Sequence, residues 1–205
     1  MRYSFKLRVM GMLGGVLIRK ELNDKTKLKA IRKEYRAILE RAKDIGNNNP
    51  LLSCYAFGAY FIAMNKVTGL DPQANFDLLA NSLKKSKLTK LFMGDGKTYI
   101  NEKNMARRKK WAAETHKRKY ENDWEVDILD KTKDYDMGMN YTRCGICKLC
   151  RDENCFELAK YMCQLDYILF GVMGLELTRT MTLAQGCPMC DFRLKLVKKD
   201  EKRED

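Results

Sequence analysis

The feature that most constrains the fold is a change of hydrophobic period at Asn122. Before it, apolar residues return every three or four positions. After Asp24, a plausible N-cap, they fall at Leu28, Ile31, Tyr35, Ile38, Leu39, Ala42 and Ile45, a helical stripe that Gly46 closes in the C′ place. Residues 47–50 read as a loop, and 51–66 are apolar on nearly every side, as in a central buried helix. Cys54 lies there as a buried packing residue, far from the other thiols. Asp71 and Pro72 start a further helix burying Phe76, Leu79 and Leu83, and a polar helix follows over 104–119. Past Asn122 the period becomes two. Trp124, Val126 and Ile128 form one alternating run and Met137, Met139 and Tyr141 another, an antiparallel pair turning near 131–133. Residues 154–173 are helical again, and strands over 175–183 and 190–198 are joined across Gly186. This order predicts an α+β protein: a helical region, 1–121, packed on an antiparallel sheet built from a β-β-α-β-β unit, 122–198. The two regions form one compact domain, and 199–205 is a charged tail.

Composition narrows the class. With 45% apolar and 33% charged residues the chain is a folded, soluble type. Lysine and arginine outnumber the acids 40 to 27. The excess is concentrated over 84–119, where 13 basic residues face only Asp95, Glu102 and Glu114. With Phe92, Tyr99 and Trp111 interleaved, that stretch has the composition of a nucleic-acid footprint. Without a recognised nucleic-acid module, a solvated helix face on a basic protein is the simpler reading. The apolar run 9–18 is interrupted by glycines and too short to span a bilayer. It reads as an amphipathic first helix, with attachment to a membrane surface as the second reading. Eight cysteines in 205 residues, with no cleavable signal apparent, predict reduced thiols in a cytoplasm. The lone His116 reads as exposed and excludes a multi-histidine metal site.

Seven of the eight cysteines fall between Tyr141 and Arg193. Strand parity there puts Arg179 on one face with Leu175, Leu177, Met181 and Leu183, and Arg143 with Met137, Met139 and Tyr141. Cys190 shares a face with Phe192, Leu194 and Leu196. On the helix, Asp166 shares a stripe with Ala159, Met162, Cys163, Phe170 and Met173. A buried charge must find a partner. One reading is an Asp166–Arg179 ion pair tying helix to sheet. The other is a polar pocket lined by Arg143, Cys163, Asp166, Arg179 and Cys190, where two cations against one anion invite a small anionic ligand. Cys144, Cys147, Cys150 and Cys155 approach an iron–sulfur run without its Cys-Pro ending, and Cys187 with Cys190 adds a zinc-knuckle spacing. A zinc ion or an iron–sulfur cluster therefore stands open beside paired oxidation and plain packing.

The chain resembles the L-2-amino-thiazoline-4-carboxylic acid hydrolase family of bacterial proteins. The resemblance rests on Tyr141-Thr142-Arg143-Cys144, Cys163 with Asp166-Tyr167, Arg179-Thr180-x-Thr182 and Cys190-Asp191-Phe192-Arg193, and reaches back to Asn49-Pro50-Leu51-Leu52 and Asn122-Asp123-Trp124. It implies a hydrolase that opens a 2-aminothiazoline ring to a carbamoyl-cysteine, a step towards cysteine, with no required cofactor. On that chemistry Asp166 or Asp191 would face the amidine or act as general base. Cys163 or Cys190, beside Arg143 or Arg179, would be the nucleophile. The motif residues Thr180, Thr182 and Arg193 would join Arg143 and Arg179 in binding substrate. The alternative from another class is a non-catalytic small-ligand or metal-binding sensor on the same scaffold.

Overall fold

The computed structural model describes residues 3–197, so the expected strand end at Lys198 and the tail 199–205 lie outside the described residues. Before Asn122 the described chain forms helices and no strand. α1 spans Phe5–Leu22 and α2 spans Lys25–Arg41. Asp24 caps α2 by accepting the Lys27 N–H at 2.9 Å, satisfying one of the free donors of the first turn. α2 stops at Arg41, short of the expected closure at Gly46. Ala42 is extended (φ −63°, ψ 143°), and the Asp44 carboxylate takes up the Gly46 N–H at 3.0 Å. Ala42 and Ile45 still bury their side chains, so the apolar spacing outruns the helix it suggests.

α3 (Leu52–Thr68) is the central helix, with Tyr55, Phe61, Ile62 and Met64 fully buried. α1, α2 and α4 (Pro72–Lys85) pack against it. Asp71 caps α4 on the Ala74 N–H at 3.0 Å, with Pro72 in the first turn. Tyr35 of α2 donates its hydroxyl to the Leu7 carbonyl at 2.8 Å, and its ring lies so close to Gly11 that a Cβ there would meet it at 2.5 Å. Three further helices, α5 (Lys87–Met93), α6 (Gly96–Tyr99) and α7 (Glu102–Thr115), carry the basic stretch to the sheet.

The strands are β1 (Glu125–Leu129), β2 (Met137–Arg143), β3 (Leu175–Thr178) and β4 (Cys190–Leu196), in the order β1-β2-β4-β3 with every pairing antiparallel. All of them follow Asn122. β3 is shorter than its pattern suggests. Asp191 accepts the N–H groups of Thr180 at 2.9 Å and Met181 at 2.6 Å, donors that a continuing strand would give to its neighbour. Between β2 and β3 lie α8 (Gly145–Asp152), one 3₁₀ turn (Phe156–Leu158) and α9 (Ala159–Val172). α8 is an addition to the expected β-β-α-β-β order. Its buried residues Ile146, Cys147, Leu149 and Cys150 do have helical spacing, and they face α3.

Two apolar clusters result. The larger joins α1–α4 to α8 and α9; the smaller fills the space between the sheet's inner face, α7 and α9. Tyr141 and Leu183 touch both. The polar residues expected to point inward gather near this seam.

Candidate active site

Asp166 and Arg179 meet as their periodicities predict. Arg179 Nη1 donates to Asp166 Oδ2 at 2.9 Å, and Nη2 to the Cys163 carbonyl at 2.8 Å. Its guanidinium lies over Phe192 at 4.7 Å and Tyr167 at 5.2 Å. The arginine side chain is 3% exposed, whereas the aspartate keeps 26%. The pair is therefore open at its carboxylate end. Burial raises the Asp166 carboxyl to about 6, outweighing the charge and hydrogen bond of Arg179, which lower it. A carboxyl in that range exchanges a proton near neutral pH.

The thiols of this region differ sharply in their surroundings. Burial, followed by the charge of Asp166, pushes Cys163 well above the usual cysteine range despite Arg179. Burial also raises Cys190 to about 11, although its sulfur accepts the Leu183 N–H at 3.2 Å. Cys144 goes the other way. It precedes the first turn of α8, and the Cys147 thiol beside it lowers its pKa most. The N–H groups of Cys147 and Ile146 add to this, although neither closes a conventional cap bond. Together they outweigh burial and the repulsion from Asp166. A thiol at a helix start, held towards its thiolate, is the nucleophilic kind. The C-x2-C spacing at a helix start could have signalled this, but the four-cysteine run reads as metal, paired oxidation or packing, and not as a nucleophile.

Cys54 corrects an expectation. It is exposed, and Asp166 and Cys144 are its charged neighbours. Burial nevertheless pushes its thiol up to about 12. A side chain surrounded by protein yet open to solvent lines a cleft. An outward position on α3 near Cys144 and Asp166 replaces the packing role.

Arg143 does not join them. Glu125 pairs with Arg143 while Val126 pairs with Tyr141, so β2 bulges at Thr142 and parity slips. Arg143 Nη2 instead donates to the Glu121 carbonyl at 2.8 Å, a contact Lys148 shares. Asp191 is likewise taken. It binds the Thr180 hydroxyl at 2.6 Å besides the two N–H groups, and these bonds hold its pKa low against burial, which would raise it. Thr182 bonds Gln185 Oε1 at 2.8 Å. The R-T-x-T and C-D residues thus stitch the loop that presents Arg179. Arg193 is on the sheet's outer face, bonded to Asn140 Oδ1 at 2.9 Å and stacked on Tyr135 at 5.2 Å. A shallow groove there, lined by Asp134, Tyr135, Glu176, Thr178, Arg193 and Lys195, contains no thiol and is separate from the Asp166 cleft.

Four thiols form two pairs, and Cys187 is half-buried apart from them. Cys147 is beside Cys144, and Cys150 beside Cys155. Among the described residues, no group of three or more His, Cys, Asp or Glu side chains converges as a metal site. In the basic stretch, Lys109 pairs with Asp130 at 2.5 Å and Lys117 with Glu114 at 2.7 Å, both at the surface. His116 is half-exposed against Asp127 at 2.9 Å.

Asn122 and Asn49 link the two halves. Buried Asn122 bonds the Tyr55 hydroxyl at 3.2 Å and Asp152 at 2.7 Å, and Asn49 bonds Asp123 at 2.7 Å. Among the described residues no helix is long and apolar enough to cross a membrane.

Fold and site together define an α+β scaffold whose helix–sheet seam carries a cysteine-rich cleft with one inward ion pair. The chain belongs to the L-2-amino-thiazoline-4-carboxylic acid hydrolase family, whose model matches residues 50–194. That span includes every cleft residue and omits α1 and α2. No curated protein and no solved structure matches the chain.

Proposed function

We propose that the protein hydrolyses a 2-aminothiazoline carboxylate to a carbamoyl-cysteine, with Cys144 as nucleophile and Asp166 as general base. What carries this reading is one juxtaposition: Cys144 stands at the start of α8, beside its first N–H groups and within electrostatic reach of Asp166, whose carboxyl is raised to about 6. The family membership supports the substrate class. Cys144 Sγ bonds to the amidinium carbon, and the bond from that carbon to the ring sulfur breaks, the sulfur leaving as thiolate. Water then attacks the same carbon. Asp166 takes one of its protons, the released ring thiolate receives the other, and Cys144 departs as thiolate. One water is consumed and the carbon keeps its oxidation state. Arg179 holds Asp166 in place. The eight free thiols support a reducing, cytoplasmic setting.

The test is thiol release from 2-amino-thiazoline-4-carboxylate by the wild-type protein and single-cysteine variants. Cys144→Ala should lose at least about 10³-fold in kcat, while Cys163→Ala and Cys190→Ala stay within tenfold (~1.4 kcal/mol). A fully active Cys144→Ala removes the nucleophile from the scheme. Tight ligand binding without turnover by the wild type would favour a sensor.

A further inference from the structure

Arg108 on α7 is a cation without a protein counter-charge. Its guanidinium stacks 3.7 Å from the centre of the Tyr99 ring. It forms no hydrogen bond or ion pair among the described residues, and its Nε is buried without a partner. Arg179 Nε is buried and unpartnered too, but Asp166 balances that guanidinium. Aromatic rings join the two cations. Tyr99 meets Phe170 edge-on at 5.8 Å, Phe170 meets Phe192 at 6.3 Å, and Arg179 lies over Phe192 at 4.7 Å. Tyr141 packs on Phe192 at 5.4 Å and shares the electrostatic surroundings of Tyr99, Cys54, Asp166 and Arg108. Phe170 and Phe192 are buried, so Tyr99 and Tyr141 are the partly open rings between a neutralised arginine and an unbalanced one.

We propose that Arg108 is the seat of the substrate's carboxylate, which makes the cleft selective for carboxylated rings. This rests on the hydrolase reading above. An unpaired guanidinium with a desolvated N–H is costly to keep and gains most from a bidentate anion. Asp166, at the other end, suits the cationic amidine. A ring carrying both charges would lie against Tyr99 and Tyr141, which feel both Asp166 and Arg108.

The experiment compares 2-amino-thiazoline-4-carboxylate with 2-aminothiazoline, which lacks the carboxylate, on wild type, Arg108→Met and Arg108→Lys. The wild type should prefer the carboxylated ring. Arg108→Met should lose roughly 10- to 100-fold of that preference, chiefly through KM. Arg108→Lys keeps the charge without the planar fork and should fall between, and it serves alone if Arg108→Met does not fold. An unchanged preference in the folded variants overturns the inference. If the wild type turns over neither ring, the hydrolase reading fails while binding still decides the seat. Calorimetry with thiazolidine-4-carboxylate and thiazolidine should then show a carboxylate preference that Arg108 substitution removes. Equal affinity of the wild type for the two probes would overturn it.

Discussion

Cys144, Cys163 and Cys190 carry the same functional group in one neighbourhood, and their surroundings give them different chemistry. Burial outweighs Arg179 at Cys163, and the Leu183 N–H with Arg179 at Cys190, and keeps both protonated, whereas Cys147 and the first N–H groups of α8 favour the Cys144 thiolate. Asp166 poses the same question for a carboxyl, and two magnitudes bear on it. Breaking a closed, buried ion pair costs about 3–5 kcal/mol. A carboxyl raised from 3.8 to about 6 in the native state instead destabilises the protein when ionised, by up to about 3 kcal/mol at 1.36 kcal/mol per unit. With 26% of the Asp166 side chain exposed the pair is not closed, so the second effect should decide. The native pKa lies above the unfolded one. The stability this group contributes is thus present below about pH 4 and lost as pH rises to about 6. Asp166→Asn, neutral at every pH, should therefore lose no stability at pH 7 in a denaturant melt, and any advantage should vanish near pH 4. Its turnover should fall and should lose the rise through pH 6 expected of wild-type kcat/KM. A loss of several kcal/mol at pH 7 would make the pair a structural tie instead.

At the scale of elements, the start of α8 places Cys144, the proposed nucleophile, and Gly145 allows α8 to sit where it does. A Cβ there would lie 2.6 Å from the Asn122 carbonyl oxygen and 2.8 Å from the Trp124 ring. The oxygen is backbone and the ring is buried, so neither can yield cheaply. Gly145→Ala should cost about 1–3 kcal/mol through overpacking and shift the first turn of α8 away from Asn122. Turnover should drop with it, because Cys144 is the adjoining residue. A variant with wild-type melt and turnover would show that the turn can relax freely. β3 illustrates the opposite dependence, since the strand stops where Asp191 captures its N–H groups. A reading from the pleat alone extends it to Leu183.

Over the whole molecule, buried carboxylates clamp the parts together. Glu153 at the end of α8 takes Arg41 of α2 and Lys66 of α3, both at 2.5 Å, and these bonds hold its pKa down against burial. Arg118, foremost, holds Glu125 of β1 down to about 2. Both native values lie below the unfolded one, so this stability is present above about pH 4.3 and lost as pH falls further. A denaturant midpoint followed from pH 6 to pH 2 should fall steeply below pH 4, and Glu125→Gln with Glu153→Gln should flatten that limb. An unaltered limb would assign acid unfolding to other groups. The sequence by itself determined the helical half, the antiparallel sheet after Asn122 and the inward aim of Asp166 and Arg179. Periods of 3.6 and 2 are properties of the local backbone, and the side chains obey them wherever the backbone is regular. Only the tertiary structure decided the rest. The bulge at Thr142 turned Arg143 outward, the packing of α3 against α8 opened Cys54 to the cleft, and the approach of α6 to α7 set Tyr99 under Arg108. Each depends on which distant segments meet, and residue spacing within one element carries no record of that.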